Sequence, residues 1–209
     1  MVARIVKLDR ILKSRKASLL SPPLLIAKEL KLKYLIEEGR LLVGPAVGLS
    51  VLIDRLTRII PINSMLDLCC GSGALTKIAM KNGVTKIVCV DKNVKAVEKN
   101  LGRKNNVRII KADVLKFKIE EFFDLIILDA PRILIPRLFP KFKEYSSKSN
   151  IFVLWHGSCE EVEWNEKVRR ELKEFFKSVY SFSIYGEEIS ACSSTKDGVK
   201  RLMKFYREW

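Results

Sequence analysis

From Ser64 onward the chain repeats one pattern. A short run rich in Val, Ile and Leu is followed by a stretch whose apolar residues recur every three or four positions. The runs are 64–70 (SMLDLCC), 86–91 (KIVCVD), 107–113 (VRIIKAD), 122–130 (FFDLIILDA) and 150–156 (NIFVLWH), and the clearest helical stretches are 74–83, 93–102 and 160–178. Strands that are apolar throughout are buried on both faces. The alternation therefore predicts a parallel sheet with helices on each side and right-handed crossovers. Residues 179–209 break the rhythm: VYSFSIYGEEI (179–189) and GVKRLMKFYREW (198–209), joined by a polar turn at 193–198, predict an antiparallel hairpin. The expected fold class is α/β, a doubly wound seven-stranded mixed sheet, parallel with a C-terminal antiparallel hairpin.

The chain upstream of this region reads differently. Arg4, Lys7, Arg10 and Lys13 stand three apart while Ile5, Leu8, Ile11 and Leu12 fall on another face, which predicts a basic amphipathic helix. Residues 17–60 read as mostly helical, with breaks at Ser21-Pro22-Pro23 and Gly44-Pro45. The expected organisation is a short, basic, mainly helical N-terminal extension (1–60) followed by the main domain (61–209).

Composition sharpens this picture. With 209 residues, 48% of them hydrophobic, the chain buries a full core, and long disorder is excluded. Lys and Arg (39) exceed Asp and Glu (24), for a net charge of +15, which favours a polyanionic partner such as RNA, with Arg4, Lys7, Arg10 and Lys13 as candidate contacts. The longest uncharged stretch, 41–53, is too short for a membrane span, and the N-terminus has no secretory signature, so a cytoplasmic protein is expected. Five cysteines without a C-x-x-C pair point to reduced thiols, with no disulfide framework and no metal site. The absence of Gln and the Lys- and Glu-rich surface suggest a thermophilic source.

The candidate chemistry lies at the strand ends. In Asp67-Leu68-Cys69-Cys70-Gly71-Ser72-Gly73, two glycines stand where a strand turns into a helix, a position suited to close approach by a polar or anionic ligand. Asp91 ends the second strand, where a carboxylate can accept ribose hydroxyls, and Asp113 ends the third. Together these residues resemble the class I, Rossmann-like S-adenosylmethionine-dependent methyltransferases, in particular those acting on RNA bases. The resemblance covers 64 to about 160. It implies that Asp67, Cys69, Gly71 and Gly73 line the methionine end of the cofactor, Asp91 and Lys92 the ribose, and Asp113 and Val114 the adenine, with Asp129 bordering the transferred methyl. Asn93, Val97 and Asn100 follow Asp91 as in many members. Cys69 stands where the family usually has the first glycine of the loop.

Asp129-Ala130-Pro131-Arg132 follows the fourth strand, where the methyl acceptor is expected. Two chemistries fit such a sequence. An exocyclic base nitrogen needs an acidic side chain and a backbone carbonyl to accept its N–H bonds, whereas pyrimidine C5 needs a thiolate to add at C6. Cys159, in His156-Gly157-Ser158-Cys159 beyond the fifth strand, is the candidate thiolate. It resembles the nucleophile of the RNA C5-methyltransferases, although Glu160 and Glu161 follow it and Arg132 replaces an expected cysteine. The catalytic candidates are thus Asp129, Pro131, Arg132 and Cys159. His156, Glu187 and Glu188 are candidate proton acceptors, and Ser158 with Glu161 forms a candidate helix capping box. The segment 44–48 before LSVLIDRLTRII either folds over the cofactor or opens a core-packing helix, the latter reading being favoured. The rival functions are methylation of a protein or small molecule on the same fold, and RNA binding by a cofactor-dependent module without chemistry.

Overall fold

A computed structural model describes residues 3–14, 22–38, 41–43 and 45–209. Ser21 and Gly44, named above as turn residues, lie outside the described residues.

The main sheet is formed by β4 (Ser64–Leu68), β5 (Lys86–Asp91), β6 (Val107–Lys111), β7 (Phe123–Leu128), β8 (Ser149–Ser158), β9 (Ser178–Ile184) and β10 (Glu187–Ser193). Its order is β6-β5-β4-β7-β8-β10-β9. The first five strands are parallel, and β10 runs antiparallel to both β8 and β9, giving the expected mixed sheet.

Alternation along each strand builds a layer on either face. Met65, Cys89, Ile127 and Val153 face helices α3 (Val47–Ile59), α4 (Ala74–Lys81), α5 (Lys95–Leu101) and α9 (Lys196–Glu208). Leu66, Val90, Leu128 and Leu154 face α6 (Ile135–Leu138), α7 (Phe142–Lys148) and α8 (Val162–Phe175). The α3 segment is a core helix: Leu49, Leu52, Ile53 and Leu56 are buried in the same cluster as the sheet.

Two expectations are corrected. The C-terminal hairpin is β9–β10, turning through Tyr185 and Gly186, which both have positive φ (51° and 78°) as the twist of a two-residue hairpin loop requires. Residues 198–209 are not a strand but part of α9. Thr195 caps that helix, accepting the Gly198 N–H at 2.9 Å, and Leu202 and Phe205 form its buried face. Val199, Leu202 and Phe205 are three apart, a helical spacing hidden inside an apolar-looking run.

The basic N-terminal segment is not one helix either. β1 (Ala3–Lys7) precedes α1 (Leu8–Ser14), and β1 pairs antiparallel with β2 (Tyr34–Glu38), which pairs with β3 (Leu41–Val43). Adjacent β-branched Ile5 and Val6 suit extended backbone, and they stand opposite Ile36 and Leu35 of β2. Arg4 and Lys7 are exposed on β1; Arg10 and Lys13 fall in α1, their side chains outside the described set. With α2 (Pro22–Glu29), this sheet closes a small core of Leu8, Leu24, Ala27, Leu32 and Leu35, which Ala74 of α4 completes.

Candidate active site

The four expected carboxylates stand at the carboxyl ends of adjacent strands. In sheet order they are Asp113 after β6, Asp91 ending β5, Asp67 within β4 and Asp129 after β7. Their fields converge on the Cys69 thiol, which burial, first, and then these four charges hold well above the ordinary thiol range. Cys69 is therefore no nucleophile.

The β4–α4 turn has left-handed backbone at alternate residues, Cys69 (φ 63°), Gly71 (φ 53°) and Gly73 (φ 80°). Gly73 is required twice over, since a Cβ there would lie 2.8 Å from Val97 Cγ2. Cys69 is the strained member of the three. The turn is held through its own amides: Cys69 N donates to Val90 O at 2.8 Å, and Gly71 N donates to the Asp91 side chain, Oδ2, at 2.9 Å. Asp91 Oδ1 accepts from Asn93 N at 2.8 Å.

Asp67 is fully buried. Its Oδ2 accepts a bond from Thr76 Oγ1 at 2.7 Å, while Oδ1 has no hydrogen-bond partner. Burial pushes its carboxyl up to about 7, with the Asp91 charge adding to the effect. An orphaned buried carboxylate oxygen fits a cationic group such as the amino group of S-adenosylmethionine. Asp91 keeps free lone pairs for ribose hydroxyls beyond the two amides it already binds. Asp113 is bonded to Lys92 at 3.0 Å and to Leu115 N at 3.0 Å, and its carboxyl is held below the usual range by Lys92 first. Val114 is buried beside it in the core. These residues fit the cofactor.

The N-terminal unit walls this turn. Ile36 Cδ1 of β2 lies 4.0 Å from the place a Gly71 Cβ would occupy. Asn100 of α5 clamps the two parts: its Oδ1 accepts from Lys33 N (2.7 Å) and Tyr34 N (2.9 Å), and its Nδ2 donates to Tyr34 O (2.8 Å) and Ser72 O (2.9 Å). Ile36 is not among the sequence candidates. A strand so far upstream carries no local signal of where it packs.

Beyond β7, Asp129 is half-buried, and its carboxyl is pushed up to about 7 by withdrawal from water, then by Asp67 and Glu187. Glu187 accepts Val47 N at 2.7 Å and Leu49 N at 3.2 Å, capping α3 from the last hairpin. Pro131 is exposed, and it starts a short 3-10 turn that contains Arg132. Arg132 pairs with Glu161 and lies over the Trp164 ring, 5.0 Å from its centroid. That contact brings the turn after β7 against the turn after β8, where half-buried Cys159 donates its backbone N–H to Gly186 O at 2.9 Å.

The remaining candidates serve the structure. His156 is buried, with Nδ1 at 3.0 Å from Asn165 Oδ1 and Nε2 at 3.1 Å from Ser190 Oγ, and burial lowers it to about 4, so it is neutral. Glu188 is buried against Arg169 (2.7 Å) and Ser183 Oγ (2.6 Å). The expected capping box at Ser158 and Glu161 does not form. β8 continues through Ser158, so α8 starts at Val162 with Glu161 as its N-cap, and the Glu161 carboxylate is taken by Arg132. Among the described residues, no group of three His, Cys, Asp or Glu side chains is placed to hold a metal ion, and no helix is long and apolar enough to cross a membrane.

A family model described as FtsJ-like methyltransferase matches residues 30–154. No curated protein matches the chain. Among solved structures, the fold resembles spermidine synthase from Thermotoga maritima (TM-score 0.60, 16% identity, covering 81% of this chain and 68% of that one). It also resembles a proposed RNA methyltransferase from Pyrococcus horikoshii (TM-score 0.53, 20% identity, covering 70% and 81%). A third is the N-methyltransferase NodS from Bradyrhizobium japonicum in complex with S-adenosyl-L-homocysteine (TM-score 0.53, 16% identity, covering 68% and 83%). At these identities the likeness shows the fold alone.

Proposed function

Because the chain belongs to the FtsJ-like methyltransferase family, it is an S-adenosylmethionine-dependent methyltransferase, and we propose that its acceptor is a base in structured RNA, ribosomal or transfer. The observation that carries this reading is Asp129, a half-buried carboxyl pushed up to about 7 at the carboxyl edge of the sheet, where open α/β sheets bind ligands. The net charge of +15 supports an RNA partner, as does the likeness to the Pyrococcus protein.

The bound cofactor supplies a methyl group already activated on a sulfonium. The protein's task is then alignment and proton handling. Asp67 holds the cofactor's amino group through its open oxygen, Asp91 the ribose and Asp113 the adenine. Asp129 accepts a hydrogen bond from the acceptor's amino group and takes its proton as the methyl arrives, with Pro131 and the adjoining backbone shaping the base site. A carboxyl with a pKa near 7 is matched to that role at neutral pH.

An exocyclic amino nitrogen is favoured over pyrimidine C5. The C5 route needs the Cys159 thiolate, yet His156, the neighbouring residue suited to activate it, has both ring nitrogens engaged in the core. Incubation of purified protein with methyl-labelled cofactor and unmodified total RNA, followed by nucleoside mass spectrometry, tests this. Label in an N-methylated base that is lost in Asp129→Ala and kept in Cys159→Ser supports the assignment. A 5-methylpyrimidine lost in Cys159→Ser restores the C5 route, a ribose methyl overturns the base assignment, and label in protein but not RNA overturns the substrate class.

A further inference from the structure

Basic residues are concentrated in one stretch of the chain. Between Lys86 and Lys118 there are ten basic and three acidic residues, so this short segment supplies nearly half of the net +15. Where it meets the N-terminal unit, a cleft of about 600 Å³ opens between β1 and α5, lined by Ile5 and by Lys92, Lys95, Lys99 and Lys111, with Glu98 as the one acid. A second hollow of about 410 Å³ shares Glu98 and continues past Arg103 and Lys104.

These cations are largely uncommitted. Lys92 is paired with Asp113. Lys95, Lys99, Arg103, Lys104 and Lys111 are exposed and form no ion pair among the described residues. The Lys99 ammonium lies over the Tyr34 ring, 4.9 Å from its centroid, a contact that ties the wall of the cleft to the N-terminal unit and leaves the ammonium without an acidic partner among the described residues. Positive charge is crowded here, as neighbouring Lys77 shows. Its ammonium donates to the carbonyls of Leu30 and Lys31 and is held below the usual lysine range, first by burial and then by Lys33, Lys104 and Lys31.

We infer that the lysine-lined cleft between β1 and α5 is a binding groove for the phosphate backbone of the RNA substrate, seated on the ribose and adenine side of the cofactor site. This rests on the RNA reading above and adds to it where the RNA is held. The groove opens beside β6 and the acceptor carboxylate follows β7, three strands away, which at ~4.8 Å per strand puts them about 14 Å apart along the sheet edge. An RNA strand lying in the groove thus delivers a nucleotide a few positions along to Asp129. Phosphate contacts of this kind position the strand without reading its sequence.

The test measures binding of fluorescein-labelled unmodified transfer RNA by fluorescence anisotropy across a salt series, for wild type, Lys95→Glu/Lys111→Glu and the control Lys167→Glu/Lys173→Glu on α8. Both pairs are exposed, and the groove pair leaves the Lys99–Tyr34 contact intact. The expected result is at least a tenfold loss of affinity for the groove pair at about 0.1 M salt, a salt slope shallower by about 1.4–1.8, and a control within about twofold of wild type. Unchanged melting temperature and cofactor binding establish that the variant is folded. If wild type binds RNA and the groove pair binds equally well, the groove assignment falls while the RNA reading stands. If wild type binds no RNA at any salt, the RNA reading falls and the groove assignment with it.

Discussion

Glu187 receives the backbone N–H groups of Val47 and Leu49 in its two carboxylate oxygens, so the last hairpin of the sheet caps the first turn of the helix that precedes the sheet. Its charge also helps raise the carboxyl of Asp129. Replacing Glu187 with Gln keeps the shape and removes the charge. The expected outcome is a loss of about 1 kcal/mol of stability, from the weakened cap. The acidic limb of the pH–activity profile, along which Asp129 gives up its proton to become the base, should shift to lower pH, because Asp129 then loses a like charge. Urea unfolding and initial rates across the acidic and neutral range check both.

Asp67 carries a second pH dependence. Its folded-state carboxyl, at about 7, lies above the ordinary 3.8, so the native state binds a proton that the unfolded chain has released between those values. Its contribution is fully present below pH 3.8 and is lost as pH rises through 7, by up to about 4 kcal/mol without cofactor. Asp67→Asn is therefore expected to gain stability relative to wild type as pH rises across that interval, and to bind the cofactor at least tenfold more weakly. Thermal melts and calorimetric titration on the same samples separate the two effects.

His156 has the opposite sign. Its folded value of about 4 lies below the ordinary 6.5, so its contribution is present above pH 6.5 and is lost as pH falls through 4, by about 3 kcal/mol at most. His156→Ala leaves Asn165 and Ser190 without their shared partner. It is expected to lose about 2–4 kcal/mol of stability without shifting the pH–activity profile of what remains folded. A profile that did shift would return His156 to the list of proton acceptors.

Cys69 occupies a left-handed position at φ 63°. Glycine there relieves about 1 kcal/mol of backbone strain but gives up side-chain packing against the core, so Cys69→Gly is expected within about 1 kcal/mol of wild type. Cys69→Val, β-branched at the same φ, is expected to lose about 2 kcal/mol. Equilibrium unfolding in urea orders the three.

The strand-end carboxylates are legible in the sequence because a buried parallel strand is an uninterrupted apolar run, and Asp67, Asp91, Asp113 and Asp129 each interrupt or end one. Positions 71 and 73 are legible because tight turns select glycine. Residues 198–209 mislead because Val199, Leu202 and Phe205 are dense enough in apolar neighbours to imitate a strand; the stronger signal is Thr195 three places before Gly198. The N-terminal sheet is hidden for another reason. Its strands are too short to show an alternation that outweighs helical spacing, and β1 finds its partner far along the chain, beyond two helices. Glu187 stands out for its acidity, but its capping role depends on a contact 140 positions back along the chain.

The Asn100 clamp has a consequence for motion. One side-chain amide bonds the backbone entering β2 and the carbonyl of Ser72 in the glycine turn, so the N-terminal unit cannot lift away without releasing that turn. Opening of the small appended sheet and loosening of the cofactor's cradle are thus one fluctuation. A ligand that quiets the cradle lengthens amide protection along the whole of β2.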